Sequence, residues 1–96
     1  MMLQTGNDNV RYIFPRKWCE KNGIEPRLFD SVINKAPLSS RTNKIIGSKA
    51  PSIYLSKLQE KAKITKIRMD DILQSHAINP ESLRSDNFQA FFDLRQ

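Results

Sequence analysis

Ninety-six residues, 39% apolar and 27% charged, match one soluble globular domain with a modest core. No run of 18 apolar residues exists, which excludes a membrane-spanning helix, and the lone Cys19 excludes an internal disulfide. With a start, MMLQTGNDNV, that has no basic or apolar leader segment, a cytoplasmic location is expected. The net charge of +6 is uneven: residues 1–40 carry +2, residues 69–96 carry −3, and residues 41–68 carry +7, where Glu60 alone opposes eight lysines and arginines. A basic middle suits a polyanionic partner, and equally a lysine-rich face that only aids solubility.

In chain order, VRYIF (10–14) has the β-branched and aromatic content of a short strand, ended by Pro15. Pro15 can open a helix over PRKWCEKN that stops at Gly23, with Trp18 and Cys19 inward and Arg16, Lys17 and Lys21 outward. RLFDSVIN (27–34) is apolar enough for a buried helical turn leading into a short strand. The stretch from Asn34 to Tyr54 then shows no structure of its own, and long connections of that kind are often functional loops. Asn34 and Asn43 are its candidate fixed points, although asparagine serves turn geometry equally well. Pro51 pre-sets a helix whose stripe is Tyr54, Leu55, Leu58 and Ala62, with Lys57, Lys61 and Lys63 on other faces. MDDILQSHAI (69–78) reads as a second amphipathic helix with Met69, Ile72, Leu73 and His76 on one side, broken by Pro80. Asp86 with Gln89 resembles a capping box opening NFQAFFDLR, where Phe88, Phe91, Phe92 and Arg95 recur at helical spacing. The phenylalanines are read as core. His76, on an apolar helix side, is read as a hydrogen-bonded core residue rather than a catalytic one.

Cys19 and His76, one of each, cannot assemble a tetrahedral zinc site, so any metal would be a hard cation such as magnesium held by oxygen. Here three segments match a pattern together. YIFPRKWCEKNGI, INKAPLSSRTNKIIGSKAPSIYL and ILQSHAINPESLRSDNFQAFFDLR resemble the C-terminal region of GmrSD-type restriction proteins, which carries an HNH nuclease motif. The resemblance covers residues 10–95. It implies an α+β, mostly helical fold: a ββα-metal, HNH-like core at 10–63 followed by C-terminal helices at 67–96, in a single domain whose residues 1–9 are expected to be disordered. Magnesium-dependent DNA endonuclease activity in a bacterial-type defence system comes with it. Residue by residue, Ile13–Pro15 fall on the I-x-P triplet, Asn34 on the asparagine that orients the general base, and Asn43 on a metal-binding asparagine.

Two positions depart from the family. The metal-ligand position is Arg11 and the general-base position is Tyr12. A guanidinium offers donors and no lone pair, and at about 5 Å from a divalent ion it repels by several kcal/mol even at an effective dielectric near 20. A phenol with a pKa near 10 is ionised in only about one molecule per thousand at pH 7, so it is poorly matched to general-base work. Asp8, on the same face as Tyr12 if the strand is regular, could supply an oxygen in compensation. A phosphotyrosyl nucleophile at Tyr12 has no other support in the sequence.

The sequence therefore points to a degenerate HNH-like domain that binds DNA through Arg11, Arg16, Lys17, Arg41, Lys44 and Lys49 without efficient metal-dependent cleavage and without a cofactor, Arg11 contacting phosphate directly. Magnesium enters only if the family activity survives. The alternatives are an active HNH-family endonuclease with an altered first strand, a module that binds a protein partner through the C-terminal helices, and a remnant of a longer restriction protein. No membrane association is expected.

Overall fold

Two short antiparallel strands and seven helices make a mostly helical α+β fold; the computed structural model describes residues 9–96. In chain order these are β1 (Asn9–Tyr12), α1 (Arg16–Lys21), α2 (Pro26–Phe29), a 3₁₀ turn (Val32–Asn34), β2 (Lys35–Leu38), α3 (Ser40–Ile46), α4 (Pro51–Ala62), α5 (Lys66–Ser75), α6 (Pro80–Arg84) and α7 (Phe88–Arg95). The strands pair in the register Asn9↔Leu38, Val10↔Pro37, Arg11↔Ala36 and Tyr12↔Lys35. Of residues 1–9, expected to be disordered, Asn9 opens β1; the rest of that expectation, and the expected approach of Asp8 to the site, lie outside the described residues.

Local chemistry explains where the elements begin and end. Ser39 caps α3, its Oγ accepting from Thr42 N at 3.1 Å, and Gly47 closes that helix at φ 53°, a left-handed conformation that glycine adopts without steric cost. Thr65 caps α5 through Arg68 N, Asn79 caps α6 through Ser82 N and Asn87 caps α7 through Ala90 N, each satisfying one of a helix's orphan donors. Pro51 and Pro80 occupy the first turns of α4 and α6, where no N–H is needed. In β2, Pro37 is exposed and tolerated because a strand in a two-stranded sheet has a free edge.

Several sequence expectations are corrected here. The segment from Asn34 to Tyr54 is not structureless: it holds β2, α3 and the first turn of α4. Its strand signal is interrupted by Pro37, and its helix is announced only by a serine cap. The first strand stops at Tyr12 because Ile13 and Phe14 turn into the core. Ala62 is exposed at the end of α4, where Lys63 takes φ 53° and turns the chain away. The helix expected at 69–78 runs three residues earlier, since Thr65 supplies its cap. His76 and Ala77, the latter at φ 59°, end it. Asp86 does not cap α7. At φ 54° it points its carboxylate at the start of α4, where Oδ1 accepts from Ser52 N at 2.8 Å and Oδ2 from Ser52 Oγ at 2.7 Å. α4 has no side-chain cap of its own, so a residue 34 positions away supplies one.

One apolar cluster extends from Ile13 and Phe14 through Tyr54, Leu55 and Leu58 to Met69, Leu73, Ile78, Leu83, Phe88 and Phe91. It crosses the expected boundary between the core and the C-terminal helices. The Phe14 ring is its centre, 5.1 Å from Trp18, 5.2 Å from Phe88 and 5.0 Å from Phe91 in tilted or edge-on geometry. Arg95 ties the last helix down: Nη1 donates to the carbonyls of Ile33 at 2.6 Å and Lys35 at 3.1 Å, and Nη2 to that of His76 at 3.3 Å. Arg84 reaches Asp70 at 2.6 Å, joining α6 to α5.

Because Asp86 holds a strained left-handed backbone in order to cap α4, Asp86→Ala should lower the unfolding free energy by about 1–2 kcal/mol, the usual cost of a lost helix cap. Urea denaturation should show a lower midpoint at an unchanged m-value. An unchanged midpoint would mean that the long-range cap contributes nothing.

Candidate nucleic-acid interface

The turn after β1 is built around one side chain. Asn34 is fully buried; its Oδ1 accepts from Phe14 N at 2.8 Å, while Nδ2 donates to Phe14 O at 3.0 Å and Phe29 O at 3.1 Å. The amide thus pairs with both backbone groups of Phe14, as a peptide unit in a ladder would. The neighbouring groups are also satisfied. Ile13 N donates to Asn34 O at 2.8 Å, the buried Tyr54 hydroxyl to Ile13 O at 2.6 Å, and the Cys19 thiol to Phe14 O at 3.6 Å. Leaving any of these buried groups unpaired would cost about 1–3 kcal/mol.

The fixed turn sets the direction of the residues on either side of it. Arg11 and Tyr12 at the end of β1, with Arg16 and Lys17 at the start of α1, line a cleft of about 570 Å³. Asn43, Ile46, Gly47 and Ser48, from the second half of α3 and its cap, form the facing wall. Arg11 Nη2 lies 3.5 Å from the hydroxyl of Ser40 at the start of α3.

The cleft therefore unites Arg11, Tyr12, Arg16, Lys17 and Asn43, five of the nine residues selected from the sequence. Asn34 is not in it. It lies behind the turn, its side-chain amide bonded to Phe14 and Phe29, so it acts on the cleft through the backbone it holds. Lys49 lies elsewhere, in a smaller groove of about 270 Å³ with Ile45, Lys57, Glu60 and Lys61, its Nζ donating to Ile45 O at 3.2 Å. Arg41 and Lys44 are exposed on α3 and line neither depression. His76 is half-buried at the end of α5 and lines neither; burial first, then the nearby Arg95 charge, lower its pKa.

Tyr12 has a partner that was not foreseen. Its hydroxyl donates to Asp30 Oδ1, and that hydrogen bond, followed by burial and the carboxylate's charge, raises the phenol's pKa. The cross-strand Lys35 ammonium sits 5.4 Å from the ring centroid, and Phe29 packs edge-on at 6.2 Å. A phenol that donates its hydrogen bond to a carboxylate and resists ionisation is further from general-base chemistry than a free tyrosine. The sequence offered no signal for Asp30 beyond an acidic residue in the long excursion between strands. Lys57 and Lys61 were legible as lying off the apolar stripe of α4 but not as groove residues.

The donor set of the cleft does not fit a divalent cation. Three cationic side chains line it, and the neutral side-chain oxygens on its walls are those of Tyr12, Asn43 and Ser48. Among the described residues, no three histidine, cysteine, aspartate or glutamate side chains gather into a metal-binding group. Cys19, behind the turn, is inert: burial pushes its thiol up to about 12.

No family model and no solved structure matches this chain. An uncharacterized protein of Methanocaldococcus jannaschii is 35% identical over 88 residues, a match covering 77% of this chain and 15% of that protein. The chain thus spans less than a sixth of its relative's length.

The raised thiol pKa has a consequence for stability. The group is neutral in the fold and ionises at its ordinary pKa of 9.0 when unfolded. Its contribution is therefore complete below pH 9 and is lost progressively as pH rises toward about 12. Urea unfolding at stepped pH should show stability falling from pH 9, and Cys19→Ser should delay the decline to the region where the phenols ionise. The same onset in both proteins would contradict the assignment.

Proposed function

We propose that this chain is a degenerate HNH-nuclease-like domain that binds nucleic acid along a basic cleft and does not carry out efficient metal-dependent cleavage. The observation that carries this reading is the convergence of Arg11 and Tyr12 from β1, Arg16 and Lys17 from α1, and Asn43 from α3 around one cleft. Three cations bordering a cleft create a field that favours phosphate. They also oppose a divalent ion, without which water activation and charge stabilisation at phosphorus are lost. The reading accounts for Asn34 as the residue that holds the strand-to-helix turn, and for Tyr12 as a phenol held by Asp30 rather than a base. Backbone contacts of this kind position a strand without reading its sequence.

Fluorescence anisotropy with a labelled duplex in EDTA tests the binding. For about three phosphate contacts, raising salt from roughly 50 to roughly 200 mM should weaken binding about fortyfold. The double substitution Arg16→Glu and Lys17→Glu should abolish it. No binding at low salt removes the proposal. Plasmid nicking by the wild-type protein in magnesium or manganese would replace it with the active-endonuclease reading. The double substitution Arg11→Asp and Tyr12→His should introduce some metal-dependent nicking, and silence in a folded variant would count against the nuclease ancestry.

A further inference from the structure

We propose that Arg11 is a dedicated receptor for one backbone phosphate of the bound strand, a fixed guanidinium site that works without metal; this rests on the basic-cleft reading above. Two arginines in the fold have a buried Nε–H with no acceptor, Arg11 and Arg95. They differ in what the rest of the guanidinium does. Arg95 spends its terminal nitrogens on three backbone carbonyls and is a structural clamp. Arg11 has among the described residues one long contact, 3.5 Å to the Ser40 hydroxyl, a group that can donate as readily as accept. A buried cationic N–H without an acceptor is rare in folded proteins and calls for an explanation.

That Nε is closed to solvent, so a ligand in the cleft meets the terminal nitrogens of Arg11. Arg11 borders a cleft of about 570 Å³, within the range of ligand sites and wide enough to admit a nucleotide unit. Its neighbour Arg16 is paired with Glu20 at 3.1 Å, and Asp30 is engaged by the Tyr12 hydroxyl. Arg11 and Lys17 thus have no carboxylate partner among the described residues. Arg11 is also held in place: its backbone lies in β1 opposite Ala36, one residue from Tyr12, whose ring is packed by Phe29. A planar fork with unused donors on a rigid strand matches the paired oxygens of a phosphodiester, and less freedom is lost on binding than with a lysine. The cation that defeats metal binding is, in this account, the group that receives the phosphate.

The test follows the arginine Nε–Hε resonances by NMR in EDTA, using the intact chain with three probes. These are a short phosphodiester oligonucleotide, its methylphosphonate counterpart of the same sequence, and inorganic phosphate. The phosphodiester strand should shift the Arg11 signal saturably and leave Arg95 in place, and the uncharged strand should not shift it. Inorganic phosphate should act only at much higher concentration; equal affinity would overturn the assignment to a strand. Arg11→Lys, which keeps the charge and loses the fork, should weaken oligonucleotide binding about tenfold or more, while Arg27→Ala, at an exposed ion pair, should not. Tight binding with an unmoved Arg11 signal, or an Arg11→Lys variant that binds as wild type does, overturns the inference and leaves the basic-cleft reading standing. No binding of the phosphodiester strand by the wild-type protein removes both.

Discussion

The pairing of the Asn34 amide with the backbone of Phe14 is the constraint on which the rest depends. The chain must leave a strand, bury an isoleucine and a phenylalanine, and enter a helix within four residues. Such a turn exposes peptide groups to an apolar interior, where each unpaired group is costly. Asparagine solves this because one planar side chain carries both an acceptor and two donors. It closes on Phe14 N and O and still reaches Phe29 O. Aspartate has no donor for the two carbonyls, and leucine has the shape without the chemistry. With the backbone fixed, the Phe14 ring is free to serve as the centre of the aromatic cluster joining α1 to α7.

From that turn the functional surface follows by geometry. The residues just before it, Arg11 and Tyr12, and just after it, Arg16 and Lys17, are turned toward the C-terminal half of α3. Among the described residues the neighbouring acids are committed: Glu20 to Arg16, Asp30 to Tyr12. The cleft is left with a positive field, a blocked phenol and a guanidinium with donors to spare. Those properties favour holding an anion and disfavour coordinating a cation. The thiol and phenol packed against the same turn, Cys19 and Tyr54, are buried in their neutral forms and contribute packing and hydrogen bonds rather than reactivity.

Much of the helical content was legible in the sequence because it is written in local signals. Pro51 at a helix start, Gly23 at a stop, Pro80 as a break after α5, and the aromatic spacing of α7 each act within a few residues. The stretch from Asn34 to Tyr54 was not legible, for a physical reason. Its strand is four residues long and defined by pairing with β1, where the register partners lie 23 to 29 residues apart. Its helix is seven residues long, with a stripe too short to show a period. Asp86 was misread because the residue it caps, Ser52, is distant in sequence. The two asparagines could be singled out but not told apart: only the fold puts Asn34 inside and Asn43 on the cleft wall. Lys57 and Lys61 join Lys49 in a groove only through the packing of α3 against α4.

The most direct measurement is native-state hydrogen exchange at the Phe14 amide, with Asn34→Ala as the comparison. If the Asn34 side-chain Oδ1 holds that N–H, it should be among the slowest in the protein, exchanging only when the whole chain unfolds. The variant should speed its exchange well beyond the change seen at core amides of α4. A Phe14 amide that exchanges as fast as those of exposed turns in the wild-type protein, or that is indifferent to the loss of Asn34, would contradict the account.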